Sequence, residues 1–372
     1  MRIALVLAGP YPELRGSQVL VRQIAEGVAS RGHVVELVTY GDVGPVPSGP
    51  WPGRFARDVA LAVRLWRTVV RAHIDVIHAH NYEAAVAGLA VGRLTGRPVV
   101  YHGHNALADE LPTYFRGALA RRVAGRVGRL ADAHVPRRAD FCIAVSEALG
   151  DILRRRGVAA DGLACIPPAA APTETGRAPT TGPAAGLVCY AGNLDDYQNL
   201  DFLLRSFARV RARVARARLV LVTHAPPDPG LAPAGGGVEV VRAGSYDEVR
   251  TLIDAADVAV CPRAERSGFP MKLLNYMAAG RAIVASAGSA KGLREGVTAR
   301  IVADGDEAAF ANAIVELLEV PALRARLGAA ARRAVEDAGT WEDVLDRIER
   351  VYTLVLARRA APTPPPVLAE PS

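Results

Sequence analysis

Two stretches of this 372-residue chain join reactive side chains to a turn that could aim them. In the first, an apolar strand ends at Cys261, Ser267-Gly268 makes a turn, Pro270 opens a helix, and Gly280 closes it before the next apolar run, Ala282 to Ala285. The first amides of a helix have no internal partners and carry the positive end of its dipole, so the turn at Gly268, Phe269 and Pro270 suits a phosphate. Lys272 lies in the first helical turn and would add a full charge. Of 45 basic residues only Lys272 and Lys291 are lysines, which points to a need for a compact ammonium at this turn. The plainer alternative is that any strand-turn-helix of an α/β protein looks like this. In the second stretch, Tyr101-His-Gly-His104-Asn105 ends another strand, and imidazole is the side chain that titrates nearest neutrality. A structural pair of histidines is the alternative there.

These turns need strands to carry them. From Arg2 to about Ile166, apolar runs (Ile3–Leu7, His33–Thr39, Asp75–Ala79, Pro98–Tyr101, Asp140–Val145) alternate with helical segments. Continuous apolar runs mean strands buried on both faces, hence a parallel sheet covered by helices. Residues 167–184 are rich in Pro, Ala and Thr and read as a linker. A second α/β series occupies 185–340, with strands at Leu187–Ala191, Leu219–Thr223, Val238–Val241, Asp257–Cys261, Ala282–Ala285 and Arg300–Val302. A closing helix follows over 341–358, and the Pro-rich residues 359–372 read as a disordered tail. The fold class expected is α/β, two tandem Rossmann-like doubly wound domains facing a cleft between the carboxyl ends of their sheets.

Composition narrows the function. No run of eighteen apolar residues appears, so no membrane-spanning helix is expected. The opening strand is too short for a secretory signal, which favours a cytoplasmic protein. The four cysteines lack metal-like spacing, and Cys142, Cys189 and Cys261 fall within apolar strands, so no metal site is expected and the thiols read as reduced core. The net charge of +7 is concentrated: Trp51 to Ala139 holds fourteen Arg against six acids. On a helical wheel, Phe55, Val59, Ala62, Val63, Trp66, Val69 and Val70 share one side of 54–71, with Arg54, Arg57, Arg64, Arg67 and Arg71 opposite. Residues 116–129 repeat the theme. Either the apolar sides pack on the sheet, or Arg57, Arg64 and Arg71 face an anionic membrane surface. Nucleic acid is not expected as a partner, since no aromatic-rich single-strand surface or DNA module is present.

The pattern Gly268-Phe-x-x-Lys272-Leu-Leu-x-Tyr-Met-Ala-x-Gly280-Arg-x-Ile-Val-Ala resembles the donor-binding segment of glycosyltransferase family 4, whose members have the two-domain GT-B fold. Arg15-Gly16, Arg31-Gly32-His33, Asp75-Val-Ile-His-Ala-His80, Pro98 followed by His104, and Ala144-Val-Ser-Glu-Ala148 are similar to it as well, so the resemblance runs from Met1 to about Val355. It implies a retaining sugar transfer from a nucleoside diphosphate sugar to an acceptor, with no metal or other cofactor. Asp195-Asp196 lacks the Asp-x-Asp spacing of metal-dependent transferases. It also implies that Gly16 approaches the donor diphosphate, and that His104 positions the donor sugar and stabilises charge.

The departures concern the diphosphate. Family members follow the first strand of the second domain with Gly-Arg and then a Lys; here the loop reads Gly192-Asn193 and then Gln198. Ser267 and Asn275 replace a pair of glutamates, the second of which bonds ribose hydroxyls. Lys272, with the amides of Gly268 and Phe269, is the expected replacement for the lost cations. A non-catalytic sugar-nucleotide-binding or scaffold paralogue, and a sugar-nucleotide epimerase on the same fold, are the alternatives. The acceptor expected is lipid-linked or a cell-envelope glycan.

Overall fold

The computed structural model of the chain describes residues 1–12, 16–42, 46, 49–170, 185–224, 236–264 and 268–360. Ser267, most of the Pro-rich stretch and nearly all of the tail expected to be disordered lie outside the described residues.

The apolar runs form two parallel six-stranded sheets. The first contains β1 (Arg2–Leu7), β2 (Val34–Val38), β3 (Val76–His80), β4 (Val99–Gly103), β5 (Phe141–Ala144) and β6 (Leu163–Cys165), in the order β2-β1-β3-β4-β5-β6. The second contains β7 (Leu187–Ala191), β8 (Arg218–Thr223), β9 (Val238–Arg242), β10 (Val258–Cys261), β11 (Ala282–Ser286) and β12 (Arg300–Val302), in the order β12-β11-β10-β7-β8-β9. Helices α1 (Gly16–Ser30), α2 (Arg54–Arg71), α3 (Asn81–Thr95), α4 (Leu107–Glu110), α5 (Ala118–His134) and α6 (Glu147–Arg155) belong to the first half. Helices α7 (Leu200–Arg213), α8 (Tyr246–Ala255), α9 (Met271–Ala278), α10 (Glu307–Glu319) and α11 (Pro321–Asp337) belong to the second, and α12 (Trp341–Ala360) ends the described chain.

Winding direction reverses beside β1 in the first sheet and beside β7 in the second. At such a reversal the loops leaving neighbouring strands part in opposite directions and open a crevice at the carboxyl ends. Register sets what faces each crevice. Leu7 pairs with His80 and His80 with His102, so β1, β3 and β4 end level. In the second sheet β10 lies between β7 and β11, with Cys261 level with Ala285.

Helix α12 leaves the second sheet and packs on the first. Trp341, Val344, Leu345, Ile348, Val351, Tyr352 and Val355 join the core of that half. The Arg-Gly-His motif serves this joint: Gly32, at φ +86°, ends α1, and Arg31 and His33 bond α12. Arg31 Nη1 reaches Asp346 at 2.7 Å and Glu349 at 2.9 Å, and His33 Nε2 lies 2.8 Å from Glu349.

Helix α2 differs from the sequence expectation. The stripe against the protein is Leu61, Leu65 and Val69, whereas Phe55 is 79 % exposed and Val59, Val63, Trp66 and Val70 are also exposed. The wheel of α2 is apolar over two stripes, and periodicity cannot choose between them. The neighbours do, since α3, β1 and β2 receive the aliphatic stripe. Helix α5 likewise buries Ala124, Gly125 and Gly128 and exposes Leu119, Val123, Val127 and Leu130.

If α12 is an integral part of the first core, Leu345→Ala removes a side chain only 3 % exposed. A loss of about 2–4 kcal/mol is expected, read as a lower denaturant midpoint. An unchanged midpoint would mean that α12 is dispensable.

Candidate active site

Between the sheets lies a cavity of about 670 Å³ lined from both halves, within the range that holds a small-molecule substrate. The halves approach closely at its floor. A Cβ on Gly16 would stand 3.4 Å from Met271 Cγ, and Phe269 packs against cores of both halves.

Lys272 reaches the cavity because Tyr276, one helical turn later on the same face of α9, fixes the helix to the end of β7. The Tyr276 hydroxyl accepts the Ala191 amide at 2.8 Å. The Lys272 ammonium then lies 3.8 Å from the centre of the Tyr190 ring and donates to Gln198 Oε1 at 2.8 Å. It also rests against Gly192, where any Cβ would come within 2.8 Å of Nζ. Its pKa is lowered from 10.5 to about 7, chiefly by burial, with Cys261 opposing the shift, the nearby Arg263 guanidinium adding to it and Cys189 opposing it less. Pro270 caps α9 without a side-chain bond, so the positive end of its dipole also faces this space.

The residues at the lost cation positions have been put to other uses. Gln198, only 4 % exposed, holds Lys272. Asn193 turns into its own loop, donating to Asp195 at 2.6 Å and to the Tyr197 hydroxyl at 2.9 Å, while its carbonyl accepts from Tyr190 at 2.6 Å. Asn275 lines the cavity and accepts from the Tyr246 hydroxyl at 2.9 Å. Of the residues singled out in the sequence, Gly16, His104, Gly192, Asn193, Gln198, Gly268, Phe269, Pro270, Lys272 and Asn275 are thus gathered around one cavity. Arg57, Arg64 and Arg71 are not among its lining. Arg57 stacks on Trp51 at 5.4 Å, Arg64 donates to the Thr39 carbonyl at 2.8 Å, and Arg71 is exposed. Tyr246, Tyr197, His224 and Arg263 line the cavity and were missed; Arg263, two residues past the end of β10, was the one legible from strand-end position.

Strand β3 presents His78 and His80, and β4 and the residue just after it present His102 and His104, on one face, following the two-residue repeat of a strand. Tyr352 of α12 lies 2.7 Å from His78 Nδ1, His78 Nε2 lies 3.1 Å from His102 Nδ1, and His80 Nδ1 lies 3.0 Å from His104 Nε2. Burial lowers His78 to about 3 and His104 to about 4, and holds His80 and His102 well below 6.5. His104 is therefore held as a neutral ring, a hydrogen-bonding group beside the cavity. Neutral imidazoles can bind metals, and His78, His80 and His102 bring ring nitrogens within 4.8 Å of one another. That trio has no carboxylate to offset a divalent charge, and two of its members bond each other.

Comparison with known proteins places this arrangement. The sequence profile described as Glycosyltransferase Family 4 matches residues 14–174, and that described as Glycosyl transferases group 1 matches residues 185–320. The chain is 28 % identical over 378 residues to a phosphatidyl-myo-inositol mannosyltransferase of Mycobacterium leprae, covering 95 % of this chain and 97 % of that one. It is 26 % identical over 398 residues to a D-inositol 3-phosphate glycosyltransferase of Streptomyces scabiei, covering 92 % and 86 %. Among solved structures it is similar to a sucrose-phosphate synthase from Thermosynechococcus elongatus, with a TM-score of 0.79, 20 % identity and coverage of 96 % and 99 %. The chain belongs to glycosyltransferase family 4 and is a glycosyltransferase of the GT-B architecture.

The buried imidazoles make an acid-sensitive fold. Unfolding releases them to an ordinary pKa near 6.5, so below that pH the unfolded chain binds protons that the folded one cannot, and stability falls as pH drops toward 4. These groups contribute no pH dependence above about pH 7. The thermal midpoint is expected to fall between pH 6.5 and 4, and less steeply in His102→Gln. An equal slope in both proteins would contradict a neutral, buried His102.

Proposed function

We propose that the chain is a retaining transferase that moves a sugar from a nucleoside diphosphate to a lipid-linked or cell-envelope acceptor at an anionic membrane surface, without a resident metal or other cofactor. The observation that carries the donor half is the Lys272 ammonium, held in the cavity between the halves beside the uncapped start of α9. Transfer leaves negative charge on the departing phosphate, and preorganised positive groups in a water-poor site stabilise that charge. On the retained face, the departing phosphate oxygen takes the acceptor hydroxyl proton. His104, neutral and oriented by His80, holds the donor sugar by hydrogen bonding. Asn275 and Tyr246 stand at the ribose end.

The acceptor half rests on surface chemistry. Nine of the fifteen large apolar side chains left exposed among the described residues lie on α2 and α5, interleaved with arginines such as Arg67, Arg71, Arg122 and Arg126. Outward apolar stripes flanked by arginine suit shallow insertion into an anionic interface, each arginine contributing about 1 kcal/mol at low salt. None of the helices in the described residues is long and apolar enough to cross a membrane. The attachment proposed is peripheral, on the inner face of the plasma membrane, through the arginine-flanked stripes. A relative named for a phosphatidylinositol acceptor agrees with a lipid-linked substrate.

Four outcomes are expected. Lys272→Ala reduces kcat for sugar transfer or donor hydrolysis by about 100-fold or more, on the scale of losing one oxyanion donor. His104→Ala also reduces it, and rates equal to wild type would remove both roles. Sugar-nucleotide affinity weakens as pH rises above about 7, where free Lys272 loses its proton, and this dependence disappears in Lys272→Met. Flotation with phosphatidylglycerol vesicles is lost when Phe55 and Trp66 become Ser; retained flotation would refute the α2 contact.

A further inference from the structure

We propose that Arg263 is the second cation of the diphosphate site, and that Tyr197 is the residue that positions it. This rests on the reading of the cavity as a nucleotide-sugar site. A diphosphate diester carries two negative charges, and Lys272, with a pKa of about 7, brings at most one positive charge to meet them. The cavity cations Arg22 and Arg54 belong to the first half, where they face Glu26 and Glu83. Arg263 belongs to the second half and leaves the end of β10, the strand beside β7 at the reversal of the sheet.

Three consecutive residues of the loop after β7 hold the two cations and the strand end that carries one of them. Tyr197 presents its ring to the Arg263 guanidinium at 5.0 Å, Gln198 accepts from the Lys272 ammonium at 2.8 Å, and Asn199 donates to the Pro262 carbonyl at 3.2 Å. Asn199 adopts φ +61°, the left-handed conformation that lets the loop turn directly into α7. The loop that lacks cations of its own is thus built as a cradle for two cations, one arriving from just past the end of β10 and one from the first turn of α9. Arg263 is 8 % exposed, and its ring partner is itself anchored by Asn193 at 2.9 Å. Two cations close enough for Arg263 to disfavour the charge on Lys272 form an arrangement that an anion relieves. A planar guanidinium adds a two-pronged contact to phosphate that the ammonium does not provide.

The test is calorimetry with UDP, GDP and ADP and with the corresponding free nucleosides, on wild type, Arg263→Gln and Arg263→Lys. Arg263→Gln is expected to weaken the diphosphate that wild type binds by about 10- to 100-fold, in line with one charge-assisted contact. The nucleoside is expected to change by less than about twofold, because it lacks the group Arg263 contacts. Arg263→Lys is expected to recover part of the loss, which also shows that the site still folds. If wild type binds a diphosphate and Arg263→Gln binds it equally well, or loses nucleoside and diphosphate alike, the assignment of Arg263 is wrong while the donor site stands. If wild type binds none of the three, both readings fall together.

Discussion

The Lys272 ammonium lies over the Tyr190 ring, against the backbone at Gly192, with Gln198 as its hydrogen-bond partner, and the rest of the second half is arranged to keep it there. Its carrier helix is tied to β7 by Tyr276, and the loop after β7 has no side chain at Gly192 to block its path. Desolvation leaves this ammonium near its titration point, which makes it responsive to any negative charge that enters. A charge kept in water would be fully formed but screened; a charge kept here is only partly formed until an anion completes the site.

The first half holds a buried, uncharged cluster beside the cavity. Four clustered imidazoles under α12 are held neutral, and of this wall of rings only His104 lines the cavity, where it offers a hydrogen-bonding group without charge. The chain crosses back from the second half to place Tyr352 on His78, which ties the order of this wall to the same helix that closes the first core. In the proposed reaction, leaving-group charge would meet Lys272 of the second half, and the donor sugar would meet His104 of the first. This division suits a reaction in which charge accumulates on the leaving group.

The proposed membrane contact rests on a second compromise. Helices α2 and α5 give up burial of Phe55, Trp66, Leu119 and Leu130, an arrangement that a protein working only in water has little reason to keep. Their inward stripes remain packed, so the exposed stripes are additional to the fold rather than missing from it. Helix α2 also carries Arg54 and Phe55 to the cavity rim, so the surface that would meet lipid adjoins the entrance to the site.

All the strands but β6, their parallel pairing and the presence of two sheets were legible in the sequence, because uninterrupted apolar runs of five or six residues have one low-energy arrangement, buried on both faces; the three residues of β6 are too few to show one. The position of Lys272 was legible too, since strand, turn and helix start are local events marked by Gly268, Pro270 and Gly280. Which stripe of α2 faces inward was not, because two apolar stripes satisfy the same periodicity and only contact with α3, β1 and β2 separates them. Nor could the sequence join Tyr197 to Arg263, Gln198 to Lys272 or Tyr352 to His78, pairs 66 to 274 positions apart in the chain. Such contacts exist only once separate strands have been brought to a common edge, and that alignment is a property of the folded sheets rather than of any stretch of residues.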